Sequence, residues 1–235
     1  FAIPEDVISV EGSSILITDD QDRRWRLPLG DDAFTEPTMA ASLRICREVA
    51  TERDLLNCHG TFYELPAENA DGFAKIRPVA SHPFRIHDYA SYRGLLVMTG
   101  IRSDMAANKS HVIRSADGKA AIWAGVIDDL WKLGKPTGQG GPWLGTETVA
   151  GEASDPYLIG FYDDRRLTLS HESDEPVTFD IEADPIGNGT WMLYQRVTIA
   201  PGKEYKHRFP DHFQARWIRF RSDSPTRATA WMVYE

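Results

Sequence analysis

The chain has 235 residues, 42% hydrophobic and 26% charged, which is enough for one large all-β domain or two smaller ones. Its formal net charge of -9 argues against nucleic acid as a partner, because phosphate binding needs a basic field. No apolar run approaches the ~20 residues of a membrane-spanning helix, and Phe1-Ala-Ile-Pro runs directly into Glu5 and Asp6, which is not the form of a secretory signal.

Ser14-Ile-Leu-Ile-Thr, Asp19-Asp-Gln-Asp and Trp25-Arg-Leu-Pro read as strand, turn and strand. Residues 30–42, with Gly30, Pro37 and several acids, read as a loop. Leu43 to Glu52 fits two periods: Met39, Leu43, Cys46 and Val49 a helical stripe, Leu43, Ile45 and Val49 a strand. The β character of the chain beyond Glu52 favours the strand. Leu55 to Pro66, Phe73 to Pro78 and Phe84 to Tyr89 read as further strands, and Leu95 to Met98, apolar on both faces, as a fully buried central one. His111 to Val126 reads as a hairpin with Asp117-Gly118 as its turn. Residues 127–156 read as a long loop rich in Gly, Pro and Trp, with a helical turn at Asp128 to Leu133. Loops of that length in a compact domain are functional or disordered.

After residue 166 six strand-like runs succeed one another, separated by Asp184-Pro-Ile-Gly-Asn-Gly, Pro201-Gly and Ser222-Asp-Ser-Pro. Val177, Phe179 and Ile181 alternate with Thr178, Asp180 and Glu182, the period of a half-buried strand. Ile218, Phe220, Phe179 and Leu169 are expected to be buried together. Between residues 55 and 165 a short strand, an elaborated loop, a hairpin and an apolar strand recur at the ~40–50-residue spacing of propeller blades. The expected fold is therefore all-β: partial β-propeller-like blades over 1–165, then a small antiparallel β-sandwich-like layer over 166–235. Cys46 and Cys58 either form a disulfide, which would suit a secreted protein, or are two buried thiols. Without CxxC spacing they make no structural zinc site by themselves.

Thr51-Glu-Arg-Asp-Leu-Leu-Asn-Cys-His-Gly-Thr-Phe-Tyr-Glu-Leu-Pro, Arg85-Ile-His-Asp-Tyr-Ala-Ser-Tyr-Arg-Gly-Leu-Leu-Val, Ile127-Asp-Asp-Leu-Trp-Lys-Leu-Gly-Lys-Pro, Ser154-Asp-Pro-Tyr-Leu and the terminal Ala228-Thr-Ala-Trp-Met-Val-Tyr carry a likeness. Together they resemble the C-terminal part of uncharacterised bacterial β-propeller proteins of the sialidase-like, glycan-degrading kind, which end in a β-sandwich-like layer. The likeness covers most of the chain from about residue 45 onward. It implies work on an oligo- or polysaccharide, a secreted or periplasmic location, and further N-terminal blades in a longer chain. Ser115-Ala-Asp-Gly-Lys is also similar to the start of the Asp-box hairpin of such propellers, and departs from it after Lys119, where a Thr/Ser-Trp pair would be expected.

Proton-transfer residue types crowd the stretch from His59 to His111. His59, His87 and Tyr92 are the candidate acid–base groups, and Arg93 is the candidate to neutralise a uronate carboxylate. His82, Asp88 and Tyr89 lie among them, and the bland alternative is that these are hydrogen-bonded core groups. Asp128, Asp129, Glu147 and Asp155 offer carboxyl groups for glycosidic chemistry, or cap a helix and solvate a loop. Trp131 and Trp143 would stack on a sugar or pack in a core. The expected substrate-binding set is Tyr63, Asp128, Trp131, Trp143 and Asp155. His82, His87 and Asp88 have no diagnostic ligand spacing, so no metal and no cofactor is expected. Arg216, Arg219 and Arg221 with His207 and His212 form either a solvated outer face or a contact for an acidic glycan. These features point to polysaccharide lyase or glycoside hydrolase chemistry, with a non-catalytic glycan-binding or structural β domain as the alternative.

Overall fold

The computed structural model describes residues 7–30, 44–48, 53–101 and 110–235, with 44–48, 53 and 68 described by backbone alone. Strands hold 53% of the described residues and short 3-10 helices 6%, so the chain is all-β. It divides into two compact units, Gly30–Pro136 and the described residues up to Leu29 with Thr137–Glu235.

The described residues begin in the second unit with β1 (Ile8–Val10), β2 (Ile15–Thr18) and β3 (Arg24–Leu27), paired antiparallel in that order. The Asp19 carboxylate holds the β2–β3 turn by accepting from the Gln21 and Arg23 amides and from the Trp25 indole.

In the first unit, β4 (Arg44–Glu48), β5 (Arg53–Cys58), β6 (Thr61–Leu65) and β7 (Arg77–Ser81) form an up-and-down antiparallel sheet. The sequence reads as one run through Leu55 to Pro66. The structure splits it at His59-Gly60, whose φ values of 49° and 79° make a two-residue primed hairpin turn. A second sheet holds β8 (Asp88–Tyr92), β9 (Leu95–Ile101), β10 (Val112–Arg114) and β11 (Ala121–Gly125), ordered β10-β11-β9-β8. At the tip of the β10–β11 hairpin Asp117 accepts from the Ser115 hydroxyl and the Lys119 amide. One hydrophobic core joins Leu55 and Phe62 of the first sheet to Leu96, Met98 and Trp123 of the second. Leu95, by contrast, is 40% exposed. The strand expected to be apolar on both faces is covered on one only, so burial alternates along β9.

The remaining strands are β12 (Gly138–Thr148), β13 (Tyr157–Leu158), β14 (Arg165–His171), β15 (Val177–Asp184), β16 (Met192–Ile199), β17 (Glu204–Arg208), β18 (Trp217–Ser222) and β19 (Thr226–Tyr234). They complete a seven-stranded sheet, β1-β2-β3-β13-β18-β15-β16, and a four-stranded sheet, β12-β19-β14-β17. The six C-terminal runs are six strands. Residue 165, the expected domain boundary, falls inside this unit at the start of β14, and both sheets draw strands from each side of it.

Trp143 of β12 faces Phe179 of β15 at 6.4 Å and Phe220 of β18 at 5.9 Å between ring centroids. Leu169, Phe179, Ile218 and Phe220 are all without solvent exposure, as the alternation of their strands requires. β12 itself runs through the segment expected to be a loop. A Cβ on Gly141 would lie 1.7 Å from the Ala230 carbonyl oxygen, so glycine is what lets this strand approach β19. Register shifts on either side of Trp143 bend it there.

Candidate functional site

The four candidate acid–base and anion-binding residues do not all meet. His59 is buried in the β5–β6 turn, where its Nδ1 accepts from the Gly30 amide at 2.7 Å. That bond leaves the ring proton on Nε2. His87 is exposed just before β8 and donates its backbone N–H to the Thr99 carbonyl. Tyr92 and Arg93 lie at the other end of that strand, about 17 Å away at ~3.4 Å per residue. Arg93 (φ 50°) and Gly94 (φ 81°) form a second primed hairpin turn, and the Arg93 guanidinium stands 5.4 Å from the Tyr92 ring centroid. Extended chain separates His87 from Tyr92, so closeness in sequence becomes distance in space.

Their neighbours are core groups. His82 is buried, with Nε2 2.9 Å from the Asn57 side-chain oxygen and Nδ1 accepting from the Phe84 amide. The Tyr89 hydroxyl donates to the Leu55 carbonyl and accepts from the Asn57 amide. This buried polar network ties the β5 backbone to β8 and to the segment before it. Cys58 lies nearby as a free, buried thiol, and burial pushes its pKa up. The Cys46 side chain lies outside the described residues.

The expected substrate-binding residues divide differently. Tyr63 is buried in β6. Asp128 and Trp131 lie together on the 3-10 helix Ile127–Lys132. Residues three apart eclipse in such a helix. Ile127 and Leu130 therefore point into the core, while Asp128 and Trp131 both remain exposed. Asp129 caps this helix: its carboxylate accepts from the Val126 amide at 2.9 Å and from Lys132 Nζ at 2.7 Å, with His111 Nε2 at 3.4 Å. The Lys132 ammonium above all holds the Asp129 carboxyl below the ordinary carboxylate range; burial opposes it, and the Val126 amide and His111 add to the lowering.

Trp131 is 49% exposed, and the Arg77 guanidinium lies 5.9 Å from its ring centroid. Arg77 of β7 pairs with Glu64, its cross-strand partner on β6, at 2.6 Å. A half-open indole, a guanidinium held beside it and two carboxylates thus share one surface of the first unit. The indole offers an apolar platform, and the charged groups offer donors and acceptors for hydroxyls. Sequence reasoning found Asp128 and Trp131 and missed Glu64 and Arg77. Only the β6–β7 register sets those two opposite one another.

Trp143 and Asp155 belong to the second unit. Trp143 is buried between Phe179 and Phe220, because the segment expected to be a loop is strand β12. Asp155 is engaged by two arginines, with Arg26 Nε at 2.8 Å and Arg24 at 3.1 Å. Arg26 also reaches Glu11 and Ser14. In the C-terminal basic group, Arg219 and Arg221 both contact Glu182, at 2.5 Å and 3.4 Å, and Arg219 stacks on Trp191 at 4.2 Å. His207 is half-buried against Tyr194, whose hydroxyl is 2.9 Å from Nε2, and burial lowers the His207 pKa. Trp217 of the same strand is fully buried beside Trp25.

Among the described residues, no group of three or more His, Cys, Asp and Glu side chains is arranged to hold a metal ion, and no helix is long and apolar enough to cross a membrane. No protein-family model and no curated protein matches the sequence. A solved structure titled "Crystal structure of PirA" is similar over 42% of this chain and 84% of that chain, at 14% identity and a TM-score of 0.25. A likeness that loose carries no argument about activity.

Proposed function

We propose that the protein is a glycan-binding β protein, and that it binds saccharide through Trp131 with Arg77, Glu64 and Asp128. The observation that carries this reading is the exposed Trp131 ring with the Arg77–Glu64 pair fixed beside it. An indole in water is costly to leave open, and a sugar covers it with its C–H face while its hydroxyls reach the flanking charges. The separation of His87 from Tyr92 and Arg93, and the burial of His59, favour binding over lyase or hydrolase chemistry at that set.

The likeness to sialidase-like propeller proteins supports the same substrate class. In this reading β4–β7, with their up-and-down order, are one blade-like sheet of a longer propeller. The protein then works outside the cytoplasm, where complex glycans are met.

The test is a panel of acidic and neutral polysaccharides presented to the full chain and to Trp131→Ala, followed by affinity electrophoresis and calorimetry. Stacking contacts of this kind are worth roughly 0.5–1.5 kcal/mol, so Trp131→Ala should weaken binding by about two- to tenfold with the fold retained. Equal retardation of the two proteins would refute the site. New reducing ends or an unsaturated-uronate absorbance would restore the enzyme reading.

A further inference from the structure

The sheet β10-β11-β9-β8 is apolar on the face turned away from its core. Residues directly opposite one another in an antiparallel sheet share a face. Tyr89, Leu96, Met98 and Trp123 face the core. The residues that alternate with them form three rows on the other side. Ile113 pairs with Ile122 in one row, which Thr99 and Asp88 continue across the sheet. Ala124, Val97 and Ala90 make the middle row, and Leu95 and Tyr92 the row beyond it. Antiparallel sheets that meet water carry polar residues on the wet face. Here Ile113 is 57% exposed, Tyr92 61% and Leu95 40%. Leu95 to Met98 reads as apolar on both faces in the sequence; one of those faces lies on the core and the other meets solvent.

The relief of this face sets what fits it. Small Ala90 and Ala124 flank Val97, so the middle row is a trough. Tyr92 and Leu95, two residues further along their strands and about 7 Å from the trough, make a ridge. An isologous interface needs one patch that carries both a knob and its hole. A two-fold axis parallel to the rows, midway between ridge and trough, sets Tyr92 over the partner's Ala90 and Leu95 over the partner's Val97. It lays the two sheets about 10 Å apart with their strands aligned, which is the packing of a sandwich. No ionised side chain interrupts these two rows, which matters for copies that each carry a net charge of -9. Four strands at ~4.8 Å spacing and about five residues long present a face of roughly 19 by 17 Å. Two such faces, with their side-chain relief, reach about the 1,000 Å² at which specific interfaces begin.

We propose that this face joins two copies of the chain into a two-fold dimer, with the Tyr92–Leu95 ridge of each seated in the Ala90–Val97–Ala124 trough of the other. The dimer is weak, half dissociated on the order of tens of micromolar, because its area stands at the lower bound for a specific interface. Trp131 and Arg77 belong to neither row, so the dimer and the glycan site stand or fall separately.

Sedimentation equilibrium of the full chain, from about 1 to 300 μM, reads the mass of the assembly. The unaltered chain should pass from monomer to dimer across that range. Tyr92→Ala removes the ridge and Ala90→Glu puts a carboxylate in the trough; each should weaken association about tenfold or more. Both positions are exposed, so circular dichroism and the melting temperature should stay those of the unaltered chain. Met192→Glu is the control: Met192 is 58% exposed on β16, in the other unit, and its replacement should leave the dimer intact. A chain that is monomeric throughout, or that grows beyond the dimer, would overturn the proposal. So would undiminished association of Tyr92→Ala, whatever Ala90→Glu does, or an equal loss of association in Met192→Glu.

Discussion

Phe220→Ala tests the packing of the second unit. Phe220 has no solvent exposure, sits at the centre of β18 between β13 and β15, and faces Trp143 at 5.9 Å. Truncating such a ring removes its transfer free energy and leaves a cavity, a loss of about 3–5 kcal/mol. About 0.5–1.5 kcal/mol of that belongs to the aromatic pair. The lower end applies if Trp143 and Phe179 relax into the space. At roughly 2–4 °C per kcal/mol for a chain of this size, the melting temperature should fall by about 6–20 °C. Urea and thermal denaturation, followed by near-ultraviolet circular dichroism of the tryptophans, measure this directly. Leu193→Ala is the control: Leu193 lies on edge strand β16 at 55% exposure, and its loss should stay within about 0.5 kcal/mol. If the two variants unfold at the same midpoint, the inner-face assignment of β18 is wrong.

Asp129→Asn should alter the acid limb of stability. The folded-state carboxyl is held below its ordinary pKa, chiefly by Lys132, so its contribution is complete above the ordinary carboxylate pKa of about 4 and is lost as pH falls through the lowered value. The stability gap between the unaltered protein and Asp129→Asn should therefore narrow on acidification and remain constant from about pH 5 to 7; a gap that widens on acidification would contradict the assignment. Cys58, buried and with its thiol pKa raised, should resist alkylation at about pH 8 in the folded protein and react once urea is added. Peptide mass spectrometry checks this, and rapid native labelling at Cys58 would contradict its burial.

Local pattern was enough where one strand face is buried and the other wet. The alternation at Val177, Phe179 and Ile181 marks β15 without knowledge of its partners, and the same holds for the other C-terminal strands. Asp117-Gly118 marks its hairpin, and Asp128 to Leu133 its helical turn, because turn and cap chemistry act within a few residues. β12 carried no such signal. Its glycines answer to the Ala230 and Ser13 carbonyls, which approach from distant parts of the chain. Trp143, read as a loop residue open to a sugar, consequently became core. The Trp131 site was half legible: Asp128 and Trp131 share a 3-10 face by spacing alone, whereas Arg77 and Glu64 join them through sheet register.

All-β character and the individual strands were thus properties of the sequence by itself, since side-chain period and turn preference are local. Which polar residues meet was decided only by the tertiary structure. His87 and Arg93, close in the chain, were carried to opposite ends of one extended strand. Phe161 and Arg216, far apart in the chain, were brought ring to guanidinium, because a strand keeps sequence neighbours apart while a sheet joins the ends of strands remote in the chain.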